Sequence, residues 1–179
     1  MAGRFLRRKA QMNQRLVFAL VTGWLKPLRD LIWIGFQGFK GSKTPMNGCV
    51  SFVMKEAITG EGRQSNIDFP KVVFSRGELF ISLIREFTSI ADTPLYIKWE
   101  NGPASAFNNA DDKATFIVYN PVKEKFVTFE GVARRADLEK TLQFPANFKN
   151  DTVHCWIHYV NVAGDAVSTS IYLGNAAIF

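Results

Sequence analysis

The two histidines are the first residues whose chemistry has to be weighed. His154 and His158 lie in residues 151–174, where apolar side chains alternate as in a strand. Four residues along a strand correspond to about 13 Å, so the two imidazoles do not bind one metal ion. We interpret both as exposed or rim imidazoles and expect no metal and no cofactor.

Residues 108–114 carry the densest group of oxygen ligands. Asn108, Asn109, Asp111 and Asp112 are the hard ligands that Ca²⁺ prefers. Their spacing lacks the regular D-x-D-x-D-G pattern of a calcium loop. An Asx-rich turn is therefore the favoured interpretation.

Catalytic motifs do not occur in the sequence. There is no G-x-S-x-G, P-loop, H-E-x-x-H or C-x-x-C, and Ser75 has no histidine near it in sequence. Arg134 and Arg135 form a small basic corner that we interpret as solvated surface. We expect no catalytic residue and a protein that is not an enzyme.

The basic N-terminus is the sharper candidate. Residues 1–43 hold nine of the 22 Lys and Arg but one of the 16 Asp and Glu, which gives +8 there and −2 in the remainder. Such asymmetry predicts an anionic partner, either nucleic acid, lipid head groups or an acidic face of a neighbouring subunit. A merely soluble basic tail is the alternative.

Within this segment, cations interleave with large apolar side chains, a composition suited to phosphates or to a neighbouring subunit. No residue pattern in this segment indicates sequence-specific recognition of nucleic-acid bases. The candidate interaction residues are Arg4, Phe5, Arg7, Arg8, Lys9, Trp24, Trp33 and Phe36.

Helical periodicity begins near Ala10. The expected buried stripe contains Leu16, Leu20, Trp24, Leu28 and Leu31, widened by Val17, Val21 and Leu25. Pro27 should kink or divide this helix. Residues 28–36 are so apolar that they must pack against the sandwich or against another molecule.

A second helix should start at Thr44 and Pro45, an N-cap hydroxyl followed by proline at the first helical position, and should end by Gly60. Its apolar face includes Cys49. We interpret Cys49 and the distant Cys155 as small buried hydrophobes.

Beyond the helices, the pattern predicts about seven short strands. Residues 78–90 fit either a helical turn or a strand. The clearer strands are residues 67–75, 94–100, 113–120, 125–131, 138–144, 151–160 and 166–173. The spacing favours an immunoglobulin-like or fibronectin-like antiparallel β-sandwich over residues 63–179, preceded by a basic tail and two or three helices over residues 1–62. The expected fold class is mainly β with an N-terminal α-helical segment.

The apolar run at residues 16–25 is neither a typical signal peptide nor a membrane span. Its basic flank is long, no small-x-small cleavage site follows, and charges break the run from Lys26 onward. We expect no transmembrane segment, and a cytoplasmic or virion-associated protein unless another route exports it.

A series of short motifs runs along the chain from Asn13 onward. They are NQR with Phe18, Ile34-Gly35-Phe36, Ala57-Ile58-Thr59-Gly60, Ile67-Asp68, Ser75-Arg76-Gly77, Val118-Tyr119-Asn120-Pro121, Asp151 with Val153-His154, and Ser168 through Tyr172-Leu173-Gly174. On these motifs the chain resembles an uncharacterised domain-of-unknown-function family found in Bacteroidota. Members usually begin with a glycine-rich segment, which a short basic start replaces here. The resemblance implies a helix-plus-sandwich fold and no established activity.

These observations favour a non-enzymatic structural or assembly protein whose sandwich packs into a larger array, such as a surface appendage or virus particle. Residues 1–36 would form the contact between subunits of a homo-oligomer or array. Two alternatives stay open. One is a module that binds a glycan, peptide or protein through loops 101–112 and 161–165, and the other is a protein that coats nucleic acid through its N-terminus.

Overall fold

In the computed structural model, residues 2–39, 44–90 and 95–179 are described, with side chains from residue 8 onward in the first helix. Helix α1 spans Ala2–Leu25, α2 spans Arg29–Gly35 and α3 spans Pro45–Glu56. A short 3-10 turn, Lys26–Leu28, separates α1 from α2, so Pro27 divides the helical segment as predicted.

The N-terminus of α3 has the expected cap. Thr44 has an extended backbone, and its hydroxyl accepts a hydrogen bond from the backbone N–H of Asn47 at 3.2 Å. Pro45 occupies the first helical position, where its missing N–H leaves no donor unsatisfied. The helix ends at Glu56, four residues before Gly60.

The strands form one small and two larger antiparallel sheets. β1 (Ile58–Thr59) pairs with β2 (Asn66–Ile67). The three-stranded sheet has the order β3-β4-β7, and the four-stranded sheet has the order β6-β5-β8-β9. The strands of these two sheets are β3 Leu83–Ser89, β4 Leu95–Glu100, β5 Lys113–Asn120, β6 Lys125–Arg134, β7 Glu139–Leu142, β8 Thr152–Val160 and β9 Ile171–Ala177.

The two larger sheets enclose one hydrophobic core. Trp99 of β4 and Phe116 of β5 pack in it with ring centroids 6.2 Å apart, and Ile157 of β8 is fully buried in the same cluster. The alternation predicted for residues 95–100 is confirmed, because Leu95, Ile97 and Trp99 are all buried.

A second core lies between the helices and the outer face of the four-stranded sheet. Ile117 and Trp156 belong to it together with Leu25 of α1 and Val53 of α3. Strands β5 and β8 are therefore buried on both faces. The fold is mainly β with an N-terminal helical segment, as predicted.

Two predicted strands need correction, and one open alternative is decided. Of residues 67–75, only Ile67 lies in a strand, because Pro70 sits in a 3-10 turn. The following residues are held by side chains instead: Phe74 N–H donates to Ser170 Oγ at 2.8 Å. Residues 78–90, which fitted a helical turn or a strand, contain strand β3. The last strand begins at Ile171 rather than at residue 166.

The turn between β8 and β9 is where the sequence predicted it. Asn161 Oδ1 accepts hydrogen bonds from the backbone N–H groups of Asp165 and Ala166 at 3.0 and 3.1 Å. After the turn, Ser168 bridges back to β8, since Tyr159 N–H donates to its hydroxyl at 2.8 Å. A register shift between Cys155 and Trp156 interrupts the pairing of β8 with β9.

Candidate assembly surface

Helix α1 packs on the protein through one face. Val21 and Leu25 are fully buried, and Val17 is half-buried one turn earlier. The sequence pattern predicts these three residues at the edge of the buried stripe. The predicted centre of the stripe, Leu16 and Leu20, is instead 37% and 38% exposed.

The other side of α1 carries a second apolar stripe. Met12 is 59% exposed and recurs with Leu16 and Leu20 every four residues. Helical spacing places Ala19 and Gly23, both exposed, beside them and away from Val17 and Val21. Apart from the neighbouring residues and backbone of its own helix, no atom would lie within 4 Å of a Cβ at Gly23. We name Met12, Leu16, Ala19, Leu20 and Gly23 the outward face.

Cations flank the outward face. Arg8, Lys9 and Arg15 are exposed, and none of them forms an ion pair with any residue that the structure describes. The side chains of Arg4, Phe5 and Arg7 lie outside the described part of the chain, as do Lys40 and Lys43. The described part of α1 thus joins apolar side chains to unpaired positive charge.

The predicted aromatic residues divide into two groups. Trp33 of α2 is 50% exposed, and its neighbour Ile34 is 40% exposed. Phe36 is fully buried and its ring lies 5.5 Å from that of Phe39, so Phe36 is not available for a surface contact in this fold.

Trp24 packs mainly against the interior of the protein. It is half-buried, and its ring centroid lies 5.0 Å from Phe126, 5.3 Å from Tyr119 and 5.7 Å from Phe74. These partners come from β6, β5 and the segment that precedes β3. Trp24 therefore anchors α1 to the four-stranded sheet.

An open groove of about 740 Å³ runs between α1 and α3. Val17, Val50 and Ile58 line its floor, while Phe18 and Met54 stand at its side. Phe18 is 51% exposed. Met12 is the exposed apolar residue that the sequence pattern did not single out, because it lies outside the most regular apolar stripe of α1.

The two histidines are structural. His158 is 2% exposed, its Nδ1 has no hydrogen-bond partner, and burial lowers its pKa to about 4. The prediction of an exposed or rim imidazole is wrong for His158, because the outer face of β8 is covered. His154 is half-buried, its Nδ1 lies 2.7 Å from Tyr172 Oη, and burial lowers its pKa.

The Asx-rich turn is confirmed. Asp111 N–H donates to Asn109 Oδ1 at 2.9 Å, and Asn109 N–H donates to Asp112 Oδ2 at 3.1 Å. Across residues 2–39, 44–90 and 95–179, no three His, Cys, Asp or Glu side chains come together as a metal site would need.

Arg135 corrects the basic-corner prediction. Arg134 is exposed as expected, but Arg135 is 1% exposed and pairs with Asp112, with 3.1 Å between Nη2 and Oδ2. The Arg135 guanidinium also lies 3.8 Å from the centroid of the Tyr159 ring.

Both thiols are buried and free, as predicted. Burial raises the pKa of Cys49 and of Cys155, so that neither thiol ionises near neutral pH. Among the helices described, none combines the length and the apolar character needed to cross a bilayer.

Comparison with known proteins identifies the family of this chain. A search of curated proteins found no similar sequence. The profile of a family of unknown function, DUF6266, matches residues 4–174, which is nearly the whole chain and includes both the helices and the sandwich. The protein therefore belongs to this family of unknown function, DUF6266.

Proposed function

We propose that this protein is a non-enzymatic structural protein that assembles with copies of itself, in an array such as a surface appendage or a virus particle. The outward face of α1, extended by Trp33 of α2, is the intersubunit contact. The observation that carries this proposal is the exposure of Met12, Leu16 and Leu20 on the side of α1 that faces away from its own core.

Helix stability supports a partner at this place. Residues 8–12 are all exposed, so this part of α1 gains little burial from the described chain. Short helices without packing are marginal in water, because most helical stability in proteins comes from burial of an apolar face. A second molecule that covers the outward face supplies the missing burial.

The chemistry of the interior supports a role without catalysis. His158 is sealed inside the fold and His154 is engaged by Tyr172, so both imidazoles serve packing. The thiols have raised pKa values, and the buried Arg135 is neutralised by Asp112. The two histidines, the two thiols and Arg135 are thus buried or engaged within the fold.

Strand order supports the immunoglobulin-like or fibronectin-like interpretation of the sandwich. Of the seven strands in the two larger sheets, the first, second and fifth lie in one sheet (β3, β4, β7). The third, sixth and seventh lie in the other (β5, β8, β9), as in immunoglobulin domains. The fourth strand, β6, joins the second group.

Light scattering coupled to size-exclusion chromatography tests the proposal. The wild-type chain at micromolar concentration should have a mass above that of a monomer, and a Leu16→Glu, Leu20→Glu variant should be monomeric because carboxylates resist burial. Val122→Glu is the matched control, since Val122 is 70% exposed in the β5–β6 turn. A monomeric wild type, or an unchanged mass for the double variant, would contradict the proposal.

A second candidate function, coating of nucleic acid, is favoured by the unpaired cations Arg8, Lys9 and Arg15. Phosphate contacts of this kind weaken steeply as salt concentration rises. Titration with a fluorescent single-stranded oligonucleotide at two salt concentrations distinguishes this function. Binding that falls with salt supports it, and absent or salt-independent binding removes it.

A further inference from the structure

A second exposed apolar surface lies at one end of the sandwich. Phe80 and Phe107 are 55% and 43% exposed, with ring centroids 5.7 Å apart. Phe80 N–H donates to the carbonyl oxygen of Phe107 at 2.8 Å, which fixes the two segments side by side. A third segment, residues 134–138, ends in Leu138, which is 44% exposed. We name residues 78–80, 107–112 and 134–138 the loop platform.

The loop platform is held rigidly from beneath. Arg135 Nη2 donates to the carbonyl oxygen of Phe80 at 2.8 Å and pairs with Asp112. Backbone hydrogen bonds from Arg135 to Asp112 O and from Ala136 to Ala110 O, at 2.8 and 3.0 Å, tie the remaining segments together. A surface fixed in this way loses little conformational entropy when a partner binds.

The charge of the loop platform is opposite to that of α1. Its ionisable residues are four acids, Glu78, Asp111, Asp112 and Asp137, and two arginines, Arg134 and Arg135. Asp112 and Arg135 neutralise each other below the surface. Glu78, Asp111 and Asp137 are exposed, and the exposed Arg134 pairs with Asp111 at 3.6 Å and with Asp137 at 3.3 Å. The net charge of the platform is therefore −2.

Two copies of α1 do not suit each other as partners. Residues 2–25 contain five Arg and Lys and no acid, so a symmetric pairing of outward faces brings like charges together. A contact that joins α1 to a different surface, one that is both apolar and acidic, avoids this repulsion. When such a contact between unlike surfaces repeats from copy to copy, it builds rings or open filaments.

We infer that the loop platform is the acceptor for the outward face of α1 from a second copy of this chain. The inference rests on the proposed assembly function and names its second surface. Met12, Leu16 and Leu20 of one copy pack on Phe80, Phe107 and Leu138 of the next, and Arg8, Lys9 and Arg15 lie near the platform carboxylates. Assembly is then head-to-tail.

Mixing two defective variants tests this arrangement. The helix variant is Leu16→Glu, Leu20→Glu, and the platform variant is Phe80→Ser, Phe107→Ser. Each should be monomeric alone, with association weakened at least about tenfold. A 1:1 mixture should form a heterodimer that grows no further, because one intact helix and one intact platform remain. Circular dichroism checks that both variants are folded, and Val122→Ser is the control for an exposed apolar residue elsewhere.

The possible outcomes distinguish the choice of acceptor surface from the proposed assembly itself. A platform variant that assembles like the wild type overturns the loop platform as acceptor but leaves assembly through α1 standing. A mixture that stays monomeric also overturns the head-to-tail arrangement. A monomeric wild type overturns the proposed function itself, and the platform with it.

Discussion

Arg135 and Asp112 form an ion pair inside the sandwich, with 3.1 Å between Nη2 and Oδ2 and side chains no more than 2% exposed. Removing one partner leaves an uncompensated buried charge, so Arg135→Leu and Asp112→Ala should each lower the free energy of unfolding by about 3–5 kcal/mol. The double variant should lose clearly less than the sum of the two. Urea denaturation measures all three, and additive losses would show that the pair acts as two independent groups.

His158 makes stability depend on pH. Its pKa is about 4 in the folded chain and about 6.5 when unfolded, so the unfolded state binds the extra proton between these values. Stability from this residue is complete above about pH 6.5 and is lost as pH falls to about 4, by about 3 kcal/mol in total.

The control for this prediction is a chain without that imidazole. As pH falls from 6.5 to 4, the unfolding free energy of the wild type should fall by about 3 kcal/mol relative to that of His158→Leu. His154→Gln should change the pH dependence less, because His154 is only half-buried. Parallel curves for wild type and His158→Leu would contradict burial of a neutral imidazole.

The same substitution should have different effects at two tryptophans. Trp24 packs against the rings of Tyr119 and Phe126, so Trp24→Ala should cost about 3 kcal/mol of stability. Trp33 is 50% exposed, and Trp33→Ala should change stability by less than about 0.5 kcal/mol while weakening assembly. Denaturation and light scattering on both variants check this, and equal stability losses would contradict the assigned roles.

Two helical glycines form another matched pair. A Cβ at Gly35 would lie 2.3 Å from the carbonyl oxygen of Phe74, so Gly35→Ala should destabilise the chain by about 1–3 kcal/mol or more. Gly23 faces open space, and Gly23→Ala should stabilise α1 by up to about 1 kcal/mol through helix propensity. Thermal denaturation measures both shifts. A stabilised Gly35→Ala would show that α2 is not pressed against the segment at Phe74.

Local signals in the sequence were enough for several elements. The bounds of β5, the Thr44 cap of α3 and the Pro27 break each follow from a pattern of a few neighbouring residues. The alternation of Leu95, Ile97 and Trp99 likewise depends only on which face of β4 meets the core.

Burial by distant segments could not be read from local patterns. Trp156 and His158 alternate outward on β8, yet both are buried, Trp156 in the core that joins this face to the helices. Helix α1 has two apolar stripes, and periodicity does not tell which of them meets the protein. For the same reason the sequence did not pair Arg135 with Asp112, or Phe80 with Phe107, since each pair is brought together by folding.

Hydrogen exchange of the backbone amides at residues 8–20 reports whether a second copy covers the outward face of α1. Without a partner, this part of α1 lacks packing on its outward face and should exchange fast in dilute protein. Protection of these amides should rise as protein concentration increases, while the amides of β5 stay equally protected throughout. Protection at residues 8–20 that is independent of concentration would contradict assembly through the outward face.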